Sequence, residues 1–89
     1  MREFANRRVV VIGGSRGIGY AASRMLVARG ARVAIGARST AVLAKVRDEL
    51  FDQGAMPYVG TCDIADTSST GAFIDSAATR LGGIDALIN

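Results

Sequence analysis

Eighty-nine residues allow one small domain, and 49% hydrophobic content with a mean hydropathy of +0.26 argues against disorder. The formal charge of +3 comes from scattered arginines, with no basic run longer than Arg7–Arg8 and no interleaved aromatics, so no nucleic-acid partner is expected. A single cysteine, Cys62, and the absence of histidine exclude an internal disulfide and a His/Cys metal centre.

The chain opens without the apolar core of a signal peptide, and apolar runs such as Val9–Ile12 are far too short to span a bilayer. No membrane partner is expected, and a reducing, cytoplasmic location fits the lone thiol. The run Val9-Val10-Val11-Ile12 predicts a parallel strand buried on both faces, broken by Gly13-Gly14. From about Gly17 to Arg29, Ile18, Ala21, Ala22, Met25 and Leu26 fall at helical spacing and predict one buried stripe, closed by Gly30. Arg32–Ile35 predicts a second strand. Ser39 or Thr40 can cap a second helix that buries Leu43, Val46 and Leu50 and ends at Gly54; Asp48, Glu49 and Asp52 form its solvated face.

Pro57–Thr61 predicts a third strand, with proline at its start where the missing donor costs little. Asp66 can cap a third helix carrying Phe73, Ile74, Ala77, Ala78 and Leu81, which Gly82-Gly83 stops. Ile84–Ile88 begins a fourth strand. This alternation implies right-handed crossovers and an α/β fold, a Rossmann-type doubly wound parallel sheet that is partial, in the order 3-2-1-4. Leu87 and Ile88 are expected to lie uncovered on a free edge.

The segment Gly13-Gly14-Ser15-Arg16-Gly17-Ile18-Gly19 lies between the first strand and the first helix. Glycine permits positive φ and leaves no Cβ between backbone and a phosphate, and the helix start offers unpaired N–H groups to an anion. Gly17, Gly19 and Ala22 satisfy the G-x-G-x-x-G/A spacing of dinucleotide sites, in the strand-turn-helix context that the motif requires.

This segment resembles the T-G-x-x-x-G-x-G signature of the short-chain dehydrogenase/reductase family, departing at Ile12, where the family has threonine. Cys62-Asp63-Ile64 resembles the family's aspartate–aliphatic pair at the adenine, and Gly82–Asn89 resembles the run into its N-N-A-G motif. The resemblance implies an oxidoreductase that reduces carbonyls or oxidises alcohols by hydride transfer, with a small-molecule carbonyl or alcohol as substrate. A homo-oligomer is expected of the intact protein. Implied cofactor-site residues are Gly13, Ser15, Arg16, Gly17, Ile18, Gly19, Arg38, Asp63, Ile64 and Asn89.

In NAD-binding relatives an acidic residue closes the second strand; here Ala37 stands there, followed by Arg38. Alanine does not repel a 2′-phosphate and arginine can pair with it, with Arg16 approaching from the glycine turn, so NADP is expected over NAD. Cys62 is read as a small buried hydrophobe and Tyr20 as a residue of the polar side of the first helix, not the family's catalytic tyrosine. The Y-x-x-x-K motif is absent, so residues 1–89 are read as the amino-terminal, cofactor-binding part of a Rossmann domain, truncated at the fourth strand. The alternative is a naturally short, catalytically inactive module that binds nucleotide or a partner protein.

Overall fold

β-Branched residues dominate the first strand, β1 (Arg8–Ile12), whose apolar run lacks the alternation of a half-exposed strand. The computed structural model describes residues 4–13, 17–51 and 57–89, and β1 lies there between two parallel neighbours. The sheet order is β3-β2-β1-β4, with β2 at Arg32–Ala37, β3 at Tyr58–Thr61 and β4 at Ala86–Ile88. The expected parallel order holds. Val10 pairs with Ala34 on one side and Leu87 on the other, and Gly36 pairs with Gly60.

Among the described residues three helices cover the sheet: α1 (Gly17–Ala28), α2 (Thr40–Phe51) and α3 (Thr67–Leu81). Successive β1 side chains point to opposite faces, and this splits the core in two. Val9 and Val11 join Val33, Ile35, Leu26, Leu43, Val46 and Leu50 under α1 and α2. Val10 and Ile12 join Ala34, Phe73, Ala77 and Leu81 under α3. Fully burying each such Val, Ile or Leu contributes about 1.5–3 kcal/mol. The chain leaves β1 toward β2 and β3, then α3 carries it back to the far side of β1. A right-handed crossover in that reversed direction lands on the opposite face.

Side-chain chemistry sets the helix ends. Gly30, at φ +92°, closes α1 with two bonds: its N–H donates to the Val27 carbonyl and the Ala31 N–H to that of Leu26. Ser39 caps α2, its Oγ accepting from the Val42 N–H at 3.2 Å. Asp66 caps α3 as expected, accepting from the N–H groups of Ser68 and Ser69, and Gly82 ends that helix at φ +83°.

Four expectations need correction. The buried stripe of α1 is rotated by one residue: Ser23, Leu26 and Val27 are buried, whereas Ala21 is exposed and Met25 is 40% exposed. Ser23 reaches the interior because its hydroxyl donates to the Gly19 carbonyl at 2.9 Å, leaving nothing polar unpaired. β2 runs on to Ala37, because Gly36 pairs in the ladder instead of breaking it. β4 starts at Ala86 rather than Ile84, since the Asp85 carboxylate takes the Arg8 N–H at the strand's entrance. Leu87 is 52% exposed as expected, but Ile88 packs partly against the α1/α2 core.

Candidate functional site

The carboxyl ends of the four strands surround a cavity of about 420 Å³. Ile12 and Gly13 come from the end of β1; Ala37, Arg38 and Ser39 from β2; Cys62 and Ile64 from beyond β3; and Asn89 from β4. In a doubly wound sheet, ligands bind outside the carboxyl ends where the chain's winding reverses. Here the reversal falls at β1, whose successor β2 lies on one side and β4 on the other. The volume falls within the range of about 300–1,000 Å³ typical of small-ligand pockets.

Gly13 leaves β1 at φ +80°, and a Cβ built on it would meet nothing within 4 Å. Glycine is required there by backbone conformation rather than by crowding. Its N–H donates to the Gly36 carbonyl at 2.7 Å, which holds the turn onto the end of β2. Gly17 opens α1 at φ +54°. Ser15, Arg16 and the Ile18 side chain lie outside the described residues, as do Asp52 and Gly54.

Arg38 is exposed at the cavity, and its side chain makes no hydrogen bond or ion pair with the described residues. Ser39 stands beside it as the cap of α2, whose first turn carries no acidic residue. The cavity therefore meets a cation with no partner among the described residues and the positive end of a helix dipole at the same strand end. Cys62, 3% exposed, lies in the wall with its Sγ 3.8 Å from Thr70 Oγ1.

Of the expected site residues, Gly13, Arg38, Ile64 and Asn89 meet in this cavity. Asp63, between Cys62 and Ile64 in sequence, does not line the cavity and is committed locally: Oδ1 accepts from the Ala65 N–H at 3.0 Å, and its carbonyl accepts from Asp66 and Thr70. Gly17 and Gly19 begin α1 without lining the cavity among the described residues.

A family model described as short chain dehydrogenase matches residues 7–89. The chain belongs to that family. A fatty acyl-CoA reductase of Mycobacterium tuberculosis is 32% identical over 87 residues, covering 98% of this chain and 30% of that protein. The cis-4-hydroxycyclohexanecarboxylate dehydrogenase of Sinomonas cyclohexanicum is 38% identical over 85 residues, covering 96% of this chain and 34% of its own. A short chain dehydrogenase from Burkholderia cenocepacia, solved in complex with NADP, superposes with a TM-score of 0.91 at 34% identity, over 100% of this chain and 36% of that one. The chain thus spans about a third of the length of the curated relatives it matches. Short-chain dehydrogenases bind nicotinamide dinucleotides, and the fold of this chain is theirs. Among the described residues no helix is long and apolar enough to cross a membrane, and no group of metal-ligating side chains is present.

Three features of this short-chain dehydrogenase were not evident from its sequence. Ser39 had the signature of a cap but not of a wall residue, and strand-end geometry makes it both. Gly36 and Gly60, paired across β2 and β3, leave the space that Phe73 fills: a Cβ on Gly36 would stand 2.7 Å from Phe73 Cε2 and 3.0 Å from the Cβ of Cys62. Two glycines at strand ends on either side of a helix were the available signal. Tyr20 is not on a polar face: it packs partly against the α1/α2 core, and its hydroxyl donates to Glu49 on α2. Glu49 is accordingly half-buried and paired rather than solvated. Glu49 holds the phenol protonated, raising the Tyr20 pKa above its usual value, with burial adding to the effect.

Proposed function

We propose that this chain forms the adenosine and pyrophosphate half of an NADP site in an oxidoreductase that interconverts carbonyls and alcohols. Arg38 carries the reading, a cation without a protein partner among the described residues, at the end of β2 and inside the cavity. Ala37 beside it brings no carboxylate to oppose a 2′-phosphate, so the guanidinium can pair with that group. Arg16, in the glycine-rich segment that follows β1, supplies a second positive charge.

The start of α1 directs backbone donors toward the pyrophosphate, with Gly13, Ser15, Gly17, Ile18 and Gly19 shaping the approach. Ile64, 57% exposed, offers an apolar surface to the adenine, and its chain neighbour Asp63 an acceptor. Asn89 closes the side next to β4. The bound nicotinamide supplies or accepts the hydride. Proton transfer falls to residues outside this stretch, because neither tyrosine has a lysine four places on: Tyr20 is followed by Arg24 and Tyr58 by Cys62. The substrate is a small carbonyl or alcohol, and the intact protein works as a homo-oligomer.

The test is Arg38→Asp in active protein expressed from the complete reading frame. Losing a charge-assisted contact worth about 1.5–3 kcal/mol shifts the NADPH/NADH ratio of kcat/KM toward NADH by roughly ten- to a hundredfold. An unchanged ratio overturns the assignment.

A further inference from the structure

The first turn of α1 contains a conflict. Two of its first three residues, Gly17 and Gly19, are glycines, which lose more backbone freedom on ordering than any other residue and so add little to the turn's own stability. Gly17 also sits at φ +54°, outside the right-handed helical range. Yet a donor array that orders only on binding weakens the apparent affinity in proportion to the fraction of molecules not already ordered. Helix propensity does not hold this turn in place, so other contacts must.

Tyr20 follows immediately. Its hydroxyl donates to Glu49 Oε2 on α2, 29 positions away in sequence. A bond from a neutral donor to a carboxylate is stronger than one between neutral groups. The ring packs against the core shared by α1 and α2, and the Arg24 guanidinium carbon stands 5.7 Å from its centroid. Glu49 is a firm partner, because Leu43, Val46 and Leu50 bury the inner face of α2. The pair thus ties the weak glycine-rich turn to a helix that is fixed independently, and Ser23 ties the same turn from within through the Gly19 carbonyl.

We propose that Tyr20, held by Glu49, is a positioning residue that preorganises the Gly17–Gly19 turn for the cofactor's pyrophosphate. It contacts no phosphate itself. The inference rests on the dinucleotide reading above and adds to it a residue outside the glycine motif.

Tyr20→Phe keeps the ring, its packing and the Arg24 contact and removes the hydroxyl alone. Calorimetry on protein from the complete reading frame uses three probes: NADPH, ADP and adenosine 2′-monophosphate. ADP places its diphosphate at the turn, whereas adenosine 2′-monophosphate places its phosphate at Arg38. Tyr20→Phe raises the Kd of NADPH and ADP by about three- to tenfold and leaves that of adenosine 2′-monophosphate within about twofold. Glu49→Leu reproduces the pattern, and the double variant adds nothing to either single change. Equal losses for all three probes indicate plain destabilisation and overturn the proposal, as do unchanged affinities or losses that multiply in the double variant. Wild-type protein that binds neither NADPH nor ADP refutes the dinucleotide reading and this inference with it. Wild-type binding that survives Tyr20→Phe refutes this inference alone.

Discussion

Arg8 and Asp85 grip each other through both backbone and side chain where β1 and β4 enter the sheet. The guanidinium donates twice to the carboxylate, Nε to Oδ2 and Nη2 to Oδ1, each at 3.1 Å. The Arg8 N–H adds a bond to Oδ2 at 2.8 Å, and the Asp85 N–H returns one to the Arg8 carbonyl at 2.8 Å. Nη1 reaches the Gly82 carbonyl at 2.7 Å, so the same arginine also secures the end of α3. β4 pairs with β1 over three residues, and this fork fixes where that short ladder starts.

An acid dependence follows from the fork. Hydrogen bonds from Arg8 lower the Asp85 pKa from 3.8 to about 2. A depressed carboxylate contributes stability above its unfolded value and loses it as pH falls through the folded one. The contribution is therefore complete above about pH 5 and fades between about pH 4 and pH 2. Asp85→Asn should lower the Tm at pH 7, and the gap to wild type should close as pH approaches 2. Both partners are about one-third exposed, so the effect should also shrink in high salt. A gap that persists unchanged at pH 2 would show that the carboxylate's charge is not the source.

Gly36 should resist enlargement even though alanine suits its strand backbone. Gly→Ala gains about 0.4–1 kcal/mol by stiffening the unfolded chain. Against that, the new methyl would meet Phe73 at 2.7 Å and 2.9 Å, and Phe73 is a buried ring stacked on Tyr58. Overpacking of this kind costs about 1–3 kcal/mol, so the collision wins. Denaturant unfolding of Gly36→Ala should show a net loss, and combining it with Phe73→Leu should recover part of it. Strictly additive losses would mean that the ring and the glycine do not share the space.

The elements that depend on local chemistry were legible in the sequence. Asp66, Gly30 and Gly82 mark helix ends through side-chain oxygens and positive φ, which one residue type can announce. The parallel order followed from strand–helix alternation and from the β-branched run Val9–Ile12. Readings that depended on a neighbour in space failed. The stripe of α1 was misplaced by one residue because Ser23 looks polar until its bond to the Gly19 carbonyl is seen. Tyr20 and Glu49 looked solvated because each satisfies the other across 29 positions. At the candidate site, the glycine spacing and Arg38 were visible, whereas the part played by Ser39 needed the strand ends to be brought together.

The Tyr20–Glu49 pair has its own spectroscopic consequence. Donation to Glu49 raises the Tyr20 pKa above 10, while the Arg24 charge opposes the shift. A group whose folded pKa is raised stabilises the fold below its unfolded value and loses that contribution as pH rises through the folded one. Phenolate absorbance with rising pH should thus show Tyr20 ionising later than free tyrosine, with Tyr20→Phe removing the late step. Glu49→Gln should bring the step earlier by taking away the negative charge. A late step that survives Tyr20→Phe would show that it does not belong to Tyr20.

Ligand fragments should divide along the same lines as the cavity. Its walls come from the ends of β1, β2 and β4 and from the residues following β3, and their polar contribution centres on Arg38, Ser39 and Asn89. On the function proposed above, this cavity takes the adenosine end of a dinucleotide, so most of the binding free energy available to residues 1–89 should come from the phosphates. Adenosine 2′,5′-bisphosphate should then compete about as well as NADPH and bind at least about tenfold more tightly than 5′-AMP, one charge-assisted contact being worth about 1.5–3 kcal/mol. Raising the salt concentration should narrow that difference, because Arg38 is exposed and screened. Arg38→Ala should remove the preference for the 2′-phosphate while leaving 5′-AMP nearly unaffected. Calorimetry with the three ligands at two salt concentrations measures each of these ratios. If NADPH bound far more tightly than the bisphosphate, the nicotinamide end would have walls in this stretch of chain, and the division of the site proposed here would be wrong.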